Sequence, residues 1–150
     1  MNFKKYVVST LTVACLTSIG TMSLAGDPGA GEKVFNKCKS CHMIVSPSGE
    51  EIVKGGKTGP NLYGVVGRQA ASYEGFKYGK SLAELGETGF KWTEEDIAGF
   101  ITDPKSWLAE KNGDKKARSN MSFKLNKGQE DVVAYLASIA PVESEESKSE

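Results

Sequence analysis

The side chains with the clearest chemistry stand together in the segment Cys38-Lys39-Ser40-Cys41-His42. On a helical turn and a half, two thiols three residues apart can each add to one of the two vinyl groups of a haem. The imidazole of His42 follows directly and would be held under the iron as an axial ligand. The C-x-x-C-H spacing therefore predicts one covalently attached c-type haem.

Other uses of a C-x-x-C pair are disfavoured. A thioredoxin-like dithiol needs a strand–helix–strand setting, which the sequence does not show. A zinc site needs further ligands, and His42 is the only histidine of the chain. The total of three cysteines is odd, so a disulfide framework is a poor explanation of their use.

The second axial ligand decides what such a haem does, because an open iron binds ligands or catalyses and a closed iron transfers electrons. Of the four methionines, two lie in the N-terminal leader described below, and Met43 adjoins His42 and cannot reach the opposite face. Met121 stands in a basic loop between two predicted helices and is the candidate ligand. The alternative for Met121 is gap-filling beside Phe123. An open site would then make the protein a haem enzyme, a gas-binding protein or a sensor.

The composition is that of one globular domain. The chain has 150 residues, of which 39% are hydrophobic and 25% charged. Lys plus Arg and Asp plus Glu both number 19, so no excess of positive charge favours nucleic-acid binding. Nucleic acid is therefore not an expected partner, and we expect a soluble monomer.

The first 25 residues have the pattern of a secretory signal peptide. Two lysines precede an uncharged apolar run from Tyr6 to Ile19, and small residues allow cleavage after Ala25. An uncleaved membrane anchor is disfavoured because the run is short and interrupted by Ser and Thr. Lipid attachment at Cys15 is disfavoured because apolar sequence continues beyond that cysteine. We expect residues 1–25 to be removed and the mature chain to reside in the periplasm.

Charge is unevenly placed along the remainder. Residues 142–150 hold four Glu, one Lys and one apolar residue, which predicts a disordered acidic tail after a haem domain over residues 26–141. Residues 81–104 hold six acidic side chains and one basic, whereas residues 105–127 hold seven basic and two acidic. Such blocks are common on solvated surfaces, and the basic one is a weak hint of a surface that steers charged partners.

Helical signals dominate the coarse structure. Asp27 followed by Pro28 predicts the start of a first helix that ends near Cys41. A last helix is predicted to start at Asn126, with Gln129 at the reciprocal capping position.

Further helices are expected between these two. Thr93 with Asp96 resembles a capping box before an apolar stripe, and Asp103-Pro104 starts another short helix. A short helix near residues 80–85 is possible. No alternating run is convincing enough for a sheet.

These residues resemble the class I cytochromes c, especially the longer periplasmic carriers of alphaproteobacteria that look like relatives of mitochondrial cytochrome c. The resemblance covers about Gly26 to Ile139. It rests on Gly31–His42, Lys57–Arg68, Gly75–Tyr78, the Trp92 segment, Asn120–Phe123 and Ala134–Leu136.

The resemblance implies a small all-α class I cytochrome c fold with a covalent haem wrapped by loops. In it, the N- and C-terminal helices cross, and Gly31 and Phe35 meet Tyr135. The Pro60 carbonyl accepts the free N–H of His42, which fixes the imidazole ring and raises its basicity.

Four side chains are placed by the resemblance to hydrogen-bond the buried haem propionates, whose charge is expensive to desolvate: Arg68, Tyr78, Trp92 and Ser119. For two of them a plainer role is open, because Trp92 could be core alone and Arg68 a surface ion pair alone.

The resemblance also implies a one-electron carrier rather than an enzyme. Its partners would be quinol–cytochrome c reductase and a terminal oxidase, reductase or photosynthetic reaction centre. Lysines near the haem are expected to join part of the basic block at residues 105–127 around an exposed haem edge, as a docking face: especially Lys37, Lys39, Lys57, Lys80 and Lys124.

The sequence departs from the family pattern in two ways. The loops after His42 and before Met121 are longer than in the short mitochondrial forms. Phe100 stands where the family usually has a tyrosine near the methionine sulfur. The second departure concerns the tuning of the iron.

Overall fold

The computed structural model describes residues 26–140. The expected signal peptide and acidic tail lie outside the described residues. Five helices and a two-stranded sheet follow one another as α1 (Pro28–Phe35), β1 (Ile44–Val45), β2 (Glu51–Val53), α2 (Lys80–Glu87), α3 (Glu94–Thr102), α4 (Pro104–Lys111) and α5 (Gln129–Ile139).

Helix α1 begins as predicted and ends earlier. Asp27 caps it, because its carboxylate accepts the N–H of Gly29 at 2.8 Å, and Pro28 occupies the first turn. The predicted end near Cys41 is wrong, since the helix ends at Phe35. The chain then continues through hydrogen-bonded turns, in which the N–H of Cys41 reaches the carbonyl of Cys38 at 3.1 Å.

The starts of α3 and α4 are confirmed. Thr93 caps α3, because its hydroxyl accepts the N–H of Asp96 at 3.1 Å and donates to the Asp96 carboxylate at 2.6 Å. Asp103 caps α4 by accepting the N–H of Ser106 at 3.2 Å. Helix α2 is also present and extends to Glu87.

The predicted start of the last helix at Asn126 is wrong. Helix α5 begins at Gln129, after Gly128 in the left-handed region at φ 87°, and has no side-chain cap. Gln129 is used elsewhere. Its amide donates to the carbonyl of Leu125 at 2.6 Å and to the hydroxyl of Thr102 at 3.2 Å.

A small antiparallel hairpin is present where no sheet was expected. Strand β1 pairs with β2, with Ile44 opposite Val53. The connecting turn places Gly49 at φ 87° and closes with its N–H on the carbonyl of Ser46 at 2.9 Å. Strands of two and three residues are too short to show an alternating pattern, which explains the missed prediction.

The crossing of the N- and C-terminal helices is confirmed. A Cβ at Gly31 would lie 1.9 Å from the carbonyl oxygen of Asp131, so only glycine permits this approach of α1 to α5. One turn on, the rings of Phe35 and Tyr135 pack with centroids 5.7 Å apart.

The helices share one apolar core, and the loops beside it frame the site. The largest fully buried side chains come from α1, β1, α4, α5 and the loop before α5: Phe35, Ile44, Pro104, Leu108, Leu125, Val132 and Val133. Between residues 26 and 140, no helix has the length and apolar character needed to cross a membrane.

Candidate functional site

One cavity of about 460 Å³ lies against the core and gathers every residue predicted for the site. Its walls include the attachment residues Cys38, Cys41 and His42, and also Met121 from the loop between α4 and α5. The remaining predicted residues line it as well: Pro60, Arg68, Tyr78, Trp92 and Ser119. Predicted site residues up to 83 positions apart in sequence therefore face one space.

The histidine ring is held in one orientation. Nδ1 of His42 lies 2.9 Å from the carbonyl oxygen of Pro60, and because a carbonyl only accepts, Nδ1 carries the proton. A Cβ at Gly59 would lie 2.3 Å from Cε1 of the ring, so glycine alone fits behind it. Burial lowers the pKa of His42 while the Pro60 bond opposes that shift. The imidazole is thus neutral, with Nε2 available to a metal.

The two thiols of the attachment segment differ. Burial, helped by the neighbouring Cys41, raises the pKa of Cys38 to about 11. The hydroxyls of Thr58 and Ser40 lower the pKa of Cys41, which is exposed. No disulfide joins the two cysteines. One therefore stands inside the cavity and one at its mouth, as attachment at the edge of a planar group requires.

Met121 is presented by residues 112–128, which we call the ligand loop. The N–H of Met121 donates to the Ser119 hydroxyl at 3.1 Å, forming a local turn. Asn120 lies against Gly79, where a Cβ would come 2.9 Å from its side-chain oxygen. The loop is therefore fitted closely to the start of α2.

Arg68 is half-buried and forms no ion pair among the described residues. Its guanidinium donates to the carbonyls of Tyr63 at 3.0 Å and Asn61 at 2.9 Å. Burial lowers its pKa, although the group stays charged. Two of its five N–H donors are thus used, and others remain for an anion in the cavity.

Tyr78 and Trp92 form part of the cavity wall. The Tyr78 hydroxyl accepts the N–H of Tyr73 at 3.2 Å, which leaves its own proton to donate. Burial raises the pKa of Tyr78 and keeps it neutral. Trp92 is 8% exposed and packs edge-on against Phe90 and Phe100.

Asn61 is a supporting residue that the sequence analysis missed. This buried amide accepts the N–H groups of Val45 at 3.1 Å and Tyr63 at 3.0 Å, and it donates to the Val45 carbonyl at 2.7 Å. It ties the hairpin to the segment that carries Pro60. Its place in the Thr-Gly-Pro-Asn run was the available signal, because Asn favours such turns.

The residues present suit a haem rather than a bare metal ion. Within the described residues, no group of three His, Cys, Asp or Glu side chains could hold a metal. The cavity instead offers one neutral imidazole, one thioether and two thiols on mainly apolar walls, with arginine, tyrosine and serine at hand for carboxylates. This donor set fits an iron porphyrin bound through its ring, its vinyl groups and its propionates.

The terminal helices cross in a helical shell, and a C-x-x-C-H segment and a methionine line the same cavity. This combination defines a c-type cytochrome of class I. Cytochrome c2 of Rhodobacter capsulatus is 58% identical over 135 residues, covering 90% of this chain and 98% of that protein. Cytochrome c-550 of Paracoccus pantotrophus is 59% identical over 118 residues, covering 77% and 88%. The solved structure of the Rhodobacter capsulatus cytochrome c2 superposes with a TM-score of 0.75, at 63% identity, over 76% of this chain and 98% of that one.

No family model matches the chain. The identity and coverage of these relatives show that the chain belongs to the class I cytochromes c, with cytochromes c2 and c-550 among its close homologues. It carries one covalently bound c-type haem.

Proposed function

We propose that this protein is a periplasmic one-electron carrier whose haem iron has His42 and Met121 as axial ligands. Its class is that of electron-carrying cytochromes with a c-type haem. The observation that carries the proposal for this chain is the single cavity lined by both the attachment segment and Met121.

The haem supplies an iron that alternates between the ferric and ferrous states. The chain's own residues set the conditions for this exchange. Cys38 and Cys41 hold the ring in place, and the Pro60 carbonyl aims the His42 nitrogen at the iron. The thioether of Met121 is a weak donor, and with burial it favours the reduced state.

Rigidity of the walls suits rapid electron exchange. Gly59 backs the His42 ring, and Asn120, the neighbour of Met121, lies against Gly79, so the ring and the backbone beside Met121 are closely fitted. Arg68, Tyr78, Trp92 and Ser119 are proposed to bind the propionates, since each has a donor and lines the cavity. Little has to rearrange when one electron enters or leaves.

The competing function is a haem enzyme, gas-binding protein or sensor with Met121 off the iron. The optical spectrum of the purified ferric protein separates the two. A low-spin haem with a sulfur-to-iron charge-transfer band is expected for the carrier. A high-spin haem that, when reduced, binds carbon monoxide readily would contradict the proposal.

The proposed partners are quinol–cytochrome c reductase and a terminal oxidase, reductase or photosynthetic reaction centre. Three of the five predicted docking lysines are exposed: Lys37 and Lys39 adjoin Cys38, and Lys57 precedes Thr58, which lies beside Cys41. Lys80 lies 3.6 Å from Glu84 with most of its side chain exposed, so this pair is weak. Lys124 differs from these, because its ammonium lies 2.6 Å from Asp103.

Periplasmic residence depends on cleavage after Ala25, which is also proposed. In support, Gly26 is already packed on α5, where a Cβ would come 2.2 Å from the carbonyl oxygen of Glu130. Mass spectrometry of the periplasmic fraction is expected to give a mature chain that starts at Gly26. A holoprotein retaining residues 1–25 in the membrane fraction would contradict this.

A further inference from the structure

The ligand loop is fastened to the helices on both sides of Met121. Before it, the N–H of Arg118 donates to the hydroxyl of buried Ser81 at 3.0 Å. After it, the N–H of buried Leu125 donates to the carbonyl of Ile101 at 2.8 Å. The stretch between these fastenings is the part of the loop that would have to shift for the methionine to leave the iron.

Within that stretch, one charged side chain is tied to the helices. Lys124 Nζ lies 2.6 Å from Oδ2 of Asp103, and the two side chains are 52% and 32% exposed. Asp103 is itself fixed, because its other carboxylate oxygen accepts the N–H of Ser106 as the cap of α4. Lys124 is thus held by a group whose position the α3–α4 junction determines.

We propose that the Lys124–Asp103 ion pair is a latch that keeps Met121 on the iron, and that both are positioning residues. The inference rests on the Met121 ligation proposed above. Lys124 is only three residues from Met121, a chain length of at most about 11 Å, so fixing one restrains the other. In this role Lys124 acts within the protein, whereas the sequence analysis placed it among the lysines that dock partners.

The size of the effect follows from the exposure of the pair. Ion pairs at such exposure change an equilibrium by at most about fivefold. Loss of the latch is therefore expected to raise the population of the opened loop about three- to fivefold. Fold and haem attachment stay intact, because the hydrogen bonds at Arg118 and Leu125 remain.

Imidazole binding to the ferric holoprotein measures this opening. At saturating imidazole, the observed rate approaches the rate at which Met121 leaves. Lys124→Gln and Asp103→Asn are expected to raise that limiting rate three- to fivefold, the second while keeping a side-chain oxygen for the α4 cap. Lys124→Arg is expected to restore the wild-type rate.

Lys111 offers a matched control. Its ammonium also lies 2.6 Å from a carboxylate, that of Asp96, but this ion pair joins α4 to α3 and neither partner belongs to the ligand loop. Lys111→Gln is expected to leave the limiting rate unchanged. Raising ionic strength is expected to speed opening in the wild type and to have little effect in Lys124→Gln, because salt screens the latch.

Two results would overturn the latch. One is a limiting rate in Lys124→Gln that equals the wild type, and the other is an equal rise in Lys111→Gln. The charge-transfer band of the wild type separates this failure from that of the proposed function. If the band is present and the rates do not respond, the latch alone is wrong, and if the band is absent, Met121 ligation and the latch fall together.

Discussion

The indole ring of Trp92 stacks on that of Trp107, with centroids 5.1 Å apart and planes 24° apart. Trp92 lines the cavity, and Trp107 belongs to α4. On Trp107 rests the ammonium of Lys111, 5.3 Å from the ring centroid. This wall of the cavity is therefore braced by a helix behind it.

Replacing Met121 by alanine tests the proposed ligand. Met121→Ala is expected to keep the haem covalently attached, because both cysteines remain. The iron loses its sulfur donor, so the reduction potential falls by roughly 60 mV or more, one power of ten for a one-electron couple, and exogenous ligands enter. Voltammetry and ferric spectra measure both effects, and an unchanged ferric spectrum would exclude Met121 as the ligand.

Phe100→Tyr tests the departure from the family pattern. Phe100 lines the cavity and packs 5.2 Å from Trp92, centroid to centroid. A tyrosine hydroxyl donating to the Met121 sulfur withdraws electron density from the iron, which raises the potential. It also makes ferric Met121 easier for a lysine to displace at high pH. The effect is at most about 1 kcal/mol, and voltammetry showing a lower potential would contradict it.

Charge reversal at Lys39, the lysine of the attachment segment, tests the docking face. Lys39→Glu is expected to slow electron transfer with the proposed quinol–cytochrome c reductase partner through a lower encounter rate. The wild-type rate falls as ionic strength passes ~0.1 M, where the Debye length is about 10 Å. Lys91→Glu, an exposed lysine in the acidic block, is the control. If the electron-transfer rate changed neither with ionic strength nor on Lys39→Glu, this face would not be the docking face.

Gly31→Ala tests the helix crossing. The new methyl group would lie 1.9 Å from the Asp131 carbonyl, a backbone atom that cannot yield without parting α1 from α5. We expect the free energy of unfolding to fall by roughly 1–3 kcal/mol. Gly29→Ala, on the same helix, meets only the Asp27 carboxylate at 3.3 Å and is expected to be nearly neutral. Denaturant unfolding measures both variants. An equal loss of unfolding free energy in the two would contradict the prediction.

Asp103 gives the protein a defined acid sensitivity. Its hydrogen bond with Lys124, followed by that from the Ser106 N–H, lowers its pKa to about 2, against about 3.9 in an unfolded chain. Because the pKa is lower in the folded chain than in the unfolded one, the ionised carboxylate stabilises the fold at pH values above the unfolded pKa. This contribution is lost as the pH falls from about 4 towards 2. The wild type should therefore exceed Asp103→Asn in unfolding free energy at pH 6 and converge with it near pH 2. A difference that is constant with pH would contradict the assignment.

The sequence was most informative where neighbouring residues decide the outcome. The caps at Asp27, Thr93 and Asp103 could be predicted because a side chain and the N–H it accepts lie within three residues. The end of α1 could not be predicted, because the apolar spacing of the helix continues to Cys38 while the backbone already changes to tighter turns.

Contacts between distant residues were beyond sequence reasoning. Lys124 and Asp103 are 21 residues apart, and only the fold brings them together. Gln129 was expected to cap α5, but the carbonyl of Leu125 and the hydroxyl of Thr102 compete for its amide. Spacing predicted the attachment segment, and elimination among the methionines predicted Met121. The other predicted site residues came from the family resemblance: Pro60, Arg68, Tyr78, Trp92 and Ser119.

The packing of α1 against α5 also bears on the order in which the molecule can form. Asp27 donates its N–H to Asp131, a bond between residues 104 positions apart. A chain delivered amino end first, from a ribosome or through a membrane pore, presents α1 long before its partner exists. The eight-residue helix is too short to persist alone, so the domain closes only when α5 arrives. Until then the attachment cysteines remain accessible on an open chain.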